Sequence, residues 1–232
     1  MITYAVLLLI NILQILSAVS GTVIIKKYNV PNIIHHFVFF LWFTVIIEIL
    51  GWIPDIIYEV EKFSHLKDSI WSANYWFYNI YFMLNYSFYI YFFIKHINNA
   101  NFVKVMYYII GLYILVSTLT LFKPENLFES HSLFIVFVGP ILMTVTILFY
   151  LYEIVSSNKI LQIKKNFVFY IAVSSLLFHL IVTPIFIYSI HHKNYNPDFI
   201  KFRGIVLYGA NILLYSVYTY SFIQCLRKNN SY

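Results

Sequence analysis

Glu48 and His179 are the two ionisable side chains that fall deep inside long apolar stretches of this chain. Each precedes a proline by nearly the same interval, Pro54 by six residues and Pro184 by five. At 1.5 Å per helical residue, both would lie roughly 8 to 9 Å beneath their prolines. An ionisable group at such depth demands a partner or a wet cavity. A carboxylate beside an imidazole favours the charged form of each, giving a pair that answers to pH or to a charged ligand. The one-residue difference in register turns the two side chains about 100° apart on related helices, so the expectation is either a direct pair or a shared polar cavity.

Amides and phenols gather at the same level. Tyr75, Asn79, Phe82, Tyr86, Tyr89 and Phe93 follow one another at spacings of three and four, as do Gly204, Tyr208, Asn211, Tyr215, Tyr218 and Phe222. Each set lies on one helical face. Asn79, Asn211, Tyr86 and Tyr215 therefore join Glu48 and His179 as candidates for a ligand pocket, with Asn85 as a further amide off the stripe. The same amides would serve as hydrogen-bonding glue between membrane helices.

Other chemistry is poorly supplied. His35-His36 and His191-His192 are adjacent pairs whose side chains diverge by about 100° on a helix, and neither HExxH nor HxxxH occurs. The single Cys225 allows no internal disulfide. No metal, no cofactor and no enzymatic activity is expected. Intramembrane hydrolases of the ceramidase type would show several His and an Asp within their helices, and a retinal protein would show a Lys in the last helix. Neither is found here.

These groups must be positioned by a membrane bundle, because 61% of the 232 residues are hydrophobic and only 10% are charged. Seven apolar runs, at 3–24, 34–53, 75–94, 105–122, 133–155, 167–190 and 204–226, are long enough to cross a hydrocarbon layer of about 30 Å. The expected fold class is all-α and integral to the membrane, a single seven-helix domain over 1–232.

The basic residues orient it. Lys26, Lys27, Lys95, Lys104, Lys159, Lys164, Lys165, Arg227 and Lys228 share one side, and Lys62, Lys67, Lys123, Lys193, Lys201 and Arg203 the other. The richer side is read as cytoplasmic, with the N-terminus outside and the C-terminus inside, and the expected host is a cytoplasmic (inner) membrane. The net charge of +6 comes in twos and threes at the ends of apolar runs, which suits lipid headgroups and excludes a nucleic-acid partner. A secretory leader ending at Ala18-Val19-Ser20 is disfavoured by the lack of a basic start and by Asn11 and Gln14.

The chain also repeats itself about 130 residues on. Phe37-Val38-Phe39-Phe40 returns as Phe167-Val168-Phe169-Tyr170, and Tyr86-Ser87, Tyr89 and Tyr91 return as Tyr215-Ser216, Tyr218 and Tyr220. This reads as a 3+1+3 parallel repeat, halves 1–95 and 133–226 joined by a connector helix at 105–122. Parallel repeats place equivalent positions at equal depth. Pro54, Pro140 and Pro184 are hinge candidates, because proline removes a backbone donor and crowds the preceding turn. In the external segment 55–74, Ile56, Val60, Phe63, Leu66 and Ile70 predict a short amphipathic helix at the interface.

The 3+1+3 plan, an outside N-terminus and one Asn from each of the third and seventh helices resemble the architecture of SWEET sugar facilitators. The first helix has no proline and there is no Pro-Gln pair, so the resemblance is architectural. The function expected is a sensor or ligand-binding module with an outward-facing polar and aromatic cavity. It would take a small polar ligand and signal through a cytoplasmic partner docked on Lys159, Lys164, Lys165, Arg227 and Lys228. The alternatives are a facilitative transporter of a small polar solute and an assembly subunit of a membrane complex.

Overall fold

The computed structural model describes residues 2–157, 163, 166–191 and 197–226, and among these residues the chain is helical throughout, without a strand. In order come α1 (Ile2–Lys27), α2 (Asn32–Leu50), a short α3 (Ile53–Glu59), α4 (Tyr75–Ile94), α5 (Ala100–Leu121), α6 (Leu133–Val155), α7 (Phe167–His191) and α8 (Pro197–Ser221). Six stretches are long and apolar enough to cross a bilayer: Ala5–Lys27, Asn32–Glu59, Ala100–Leu121, Leu133–Val155, Phe167–Ser189 and Pro197–Gln224. The protein is a multi-pass integral membrane protein. The other expected span, α4, forms as a 20-residue helix, but six Tyr and two Asn keep it less apolar than the rest.

That difference decides where α4 goes. Packing joins α1 to α2, α2 to α4, α4 to α6, α6 to α7, α7 to α8 and α8 back to α1, which closes a ring of six helices. Within it α4 buries residues on several faces, among them Asn79, Asn85, Tyr81 and Tyr86. Phenols and amides are costly against lipid and gain partners inside protein. The opposite case is α5, which lies outside the ring against α4 and α6, buries only Met106, Tyr113 and Ser117, and leaves Leu112, Leu115 and Leu119 exposed to the hydrocarbon.

Small residues set how closely helices approach. Gly21 of α1 faces Val38 of α2 and Phe222 beyond α8, and an added Cβ would come within 2.8 Å of both side chains. With no hydrophobic force between helices in lipid, this kind of close packing supplies much of the association energy.

Both ends of α4 are tied down. Near its start, Asn79 bonds the backbone of the segment between α5 and α6. Past its end, the Glu153 carboxylate of α6 accepts from the Asn98 and Asn99 backbone N–H groups at 2.8 and 3.0 Å. The helix thus runs the length of the bundle.

The hinge candidates occupy unlike settings: Pro140 and Pro184 lie inside continuous helices, whereas Pro54 stands in the first turn of α3, just after α2 stops at Leu50 and the chain turns through Gly51-Trp52. Pro is tolerated at a helix start because the first amides have no intrahelical acceptor. One expectation about backbone shape is corrected: the segment 55–74 is not one amphipathic helix. It breaks into the end of α3 and two 3-10 turns, Glu61–Leu66 and Ile70–Ser72, separated by extended residues Val60 and Ser69. Ser69 takes over the local hydrogen bonding, donating to Leu66 O at 2.6 Å and accepting from the Trp71 amide at 3.3 Å. Serine side chains compete with the helical ladder in this way.

The docking residues Lys159, Lys164, Lys165, Arg227 and Lys228, together with His192 and Lys193, lie outside the described residues.

Candidate functional site

The helix ring encloses a cavity of about 320 Å³, walled by α2, α4, α7 and α8 with Val136 from α6. This volume is at the low end of the roughly 300–1,000 Å³ common for small-ligand pockets. Along α4 the wall runs from Tyr78 to Tyr89, about 16 Å at 1.5 Å per residue, so the cavity extends from near one end of the bundle to its middle.

Of the residues singled out in the sequence, Glu48, His179, Asn85, Tyr86, Asn211 and Tyr215 all line this one space. Asn79 does not. It is fully buried beside Tyr78, where Nδ2 donates to Asn126 O at 2.8 Å and to Ser130 O at 2.9 Å, while Oδ1 accepts from the Ser132 amide at 3.0 Å. Its role is to hold the segment between α5 and α6 over the bundle.

Glu48 and His179 share the cavity without forming the direct pair considered above. The Glu48 carboxylate receives the Tyr78 hydroxyl at 3.4 Å, the outer limit of a hydrogen bond. Gly51 makes that approach feasible: a Cβ at this position would collide with the Tyr78 hydroxyl. His179, buried at the midpoint of α7, is set edge-on among rings, with Tyr86 at 5.4 Å and Phe178 at 5.1 Å between centroids. Such T-shaped packing aims the positive ring edge at a negative ring face.

The amides and phenols are placed differently from one another. Asn211 spends an N–H on Leu207 O of its own helix at 2.8 Å. Tyr81 donates to Thr44 Oγ1 at 3.4 Å, which ties α4 to α2 across the wall. Tyr86 lies in a notch at Gly139, where any side chain would strike its ring.

At the deep end the cavity is closed by hydroxyls and then by rings. The Tyr89 and Tyr218 hydroxyls are 2.6 Å apart, and Ser175 Oγ is 2.7 Å from Tyr218. Beyond them Phe37 packs against Phe92 at 4.9 Å, Tyr218 at 5.4 Å, Phe167 at 5.9 Å and Phe222 at 6.2 Å. All four phenylalanines are buried.

Sequence reasoning missed Tyr78, Tyr81, Thr44 and Thr183. A signal existed for one of them: Leu41, Thr44 and Glu48 recur at spacings of three and four, so Thr44 shares the Glu48 face of α2. Among the described residues, no three His, Cys, Asp or Glu side chains converge as metal ligands would. No family model, curated protein or solved structure matches this chain.

Proposed function

We propose that this protein is a seven-helix, non-enzymatic membrane module that binds a small ligand in the ring cavity and acts as a sensor through a separate partner. The observation that carries this reading is the cavity itself: five helices of the ring contribute to one space where a carboxyl, an imidazole, two amides and several phenols meet. Convergent polar groups in a mostly apolar pocket are the usual signature of a small-molecule site.

The seven-span topology, with the cavity end outside, is part of the proposal. It is supported by α4 running the length of the bundle between its two tethers. The internal repeat is supported by matched packing: α1 against α8 mirrors α6 against α4, and the paired hydroxyls of Tyr89 and Tyr218 come from positions 129 residues apart.

The test is thiol access from the outer face. In a Cys225→Ser background, cysteines at Thr183 and Asn211 are expected to react with a small membrane-impermeant thiol reagent added to intact cells, while one at Ile90, which is fully buried, stays inert. Protection of both cavity cysteines from that side would remove the outward-facing site.

A facilitative transporter is the second reading, and the closed deep end favours it, because alternating access needs a gate that opens. Tyr89, Tyr218 and Ser175 would be that gate. A disulfide between cysteines at Tyr89 and Tyr218 would then stop solute flux in liposomes and leave a sensor's ligand binding intact.

A further inference from the structure

We infer that the ligand of this cavity is a small organic cation of the substituted-ammonium class, held by Glu48 as counter-ion and by the rings around it. The inference rests on the binding-site reading above and names its chemistry. Among the described residues that line the cavity, Glu48 is the sole carboxylate and there is no Lys or Arg. Glu48 accepts a hydrogen bond from one phenol, Tyr78, at 3.4 Å, which supplies no positive charge. A carboxylate at this depth is costly without an opposite charge or a proton, so a cation entering the cavity replaces what the protein leaves out.

The rest of the wall selects the kind of cation. Tyr78, Tyr81, Tyr86, Phe186 and Tyr215 share the space with Glu48. Aromatic faces attract ammonium groups within about 6 Å, and cages of such rings suit methylated or alkylated ammonium, whose shell is apolar. A hard metal ion would need about six oxygen ligands with charge to match, and the described wall offers one carboxylate beside neutral amides, hydroxyls and rings. An anion would face the Glu48 carboxylate, and the one imidazole on the described wall, His179, is packed among the Tyr86 and Phe178 rings.

The experiment compares choline with 3,3-dimethylbutan-1-ol, its uncharged isostere, by calorimetry on protein in nanodiscs. Choline is expected to bind at least about tenfold tighter than the isostere, as a buried charge-assisted contact and cation–π contacts imply. Glu48→Gln should remove that preference, and Glu48→Asp, which keeps the charge and controls for folding, should retain most of it. Equal binding of the two probes, binding of choline undiminished in Glu48→Gln, or no binding of either would overturn the inference. If that happens while the cysteines at Thr183 and Asn211 remain reactive from outside, the cavity stands and only its ligand class fails. If those cysteines are inert as well, the binding-site reading fails with it.

Discussion

The Tyr89 and Tyr218 hydroxyls meet at 2.6 Å at the deep end of the cavity, one from α4 and one from α8, and Ser175 completes the contact from α7 at 2.7 Å from Tyr218. Three ring helices, α4 and the consecutive α7 and α8, are thereby fastened at one buried point. Tyr218 is the middle member, so Tyr218→Phe breaks two contacts and Tyr89→Phe one. Interhelical hydrogen bonds in membrane proteins average about 0.6 kcal/mol and reach about 1.7 kcal/mol. Thermal unfolding in detergent is expected to rank wild type above Tyr89→Phe and Tyr89→Phe above Tyr218→Phe. A double-mutant cycle should return a coupling inside that range, and additivity would mean the two hydroxyls do not share a bond.

Glycine substitutions separate close packing from helix propensity. Gly139→Ala drives a methyl into the Tyr86 ring and the Tyr113 hydroxyl. Overpacking of this kind costs about 1–3 kcal/mol, and trimming the obstruction with Tyr86→Ala in the same chain should recover part of the loss. Gly111 and Gly209 have nothing within 4 Å of an added Cβ, so Ala at either is expected to leave stability unchanged or slightly raised. Comparable losses at all three positions would contradict the packing described.

Asn79→Ala removes the clasp on the segment between α5 and α6. The Ser132 amide loses its acceptor in a buried setting, at a cost of about 1–3 kcal/mol. Hydrogen exchange should accelerate over 125–132 while the middle of α4 remains protected. Asn79→Asp keeps the acceptor for Ser132 but loses the donor to Asn126 and Ser130, so its exchange should be intermediate.

His131, in the loop just before α6, predicts a pH dependence. Its ring is enclosed by Tyr75 at 4.9 Å, Phe186 at 5.0 Å and Phe82 at 5.6 Å, and Nδ1 is sealed off without a hydrogen-bond partner. Burial pushes it from an ordinary 6.5 down to about 4. Below pH 6.5 the unfolded chain takes up a proton that the folded chain refuses, so stability falls between pH 6.5 and about 4 and levels off beneath. Unfolding midpoints measured across that window should show a slope that His131→Gln reduces.

Much of the cavity was legible because depth in a bilayer can be counted along a helix. Glu48 and His179, matched through Pro54 and Pro184, do reach the same space, and Tyr86 and Tyr215 line it from positions 129 residues apart. Azimuth was not legible. The Tyr78 hydroxyl reaches Glu48 through a gap left by Gly51, and that gap has no periodic signature. Asn79 and Asn211 looked equivalent as amides, yet Asn211 lines the cavity while Asn79, next in sequence to the cavity-lining Tyr78, bonds the loop instead. Rotation of about 100° per residue around the helix, and not depth, separates the wall from the clasp. The break in 55–74 was hidden for another reason: apolar spacing records which residues seek shelter, while Ser69 decided the backbone by local hydrogen bonds.

The phenylalanine layer beneath Tyr89 and Tyr218 has an electrical consequence. Phe37, Phe92, Phe167 and Phe222 offer no polar atom on which a file of water molecules could be relayed, and an ion passing among them would meet a barrier of several kcal/mol. Each 100 mV across the bilayer is worth about 2.3 kcal/mol per elementary charge. In this conformation the rings act as the dielectric of a capacitor, so a membrane that carries many copies of the protein still holds its voltage.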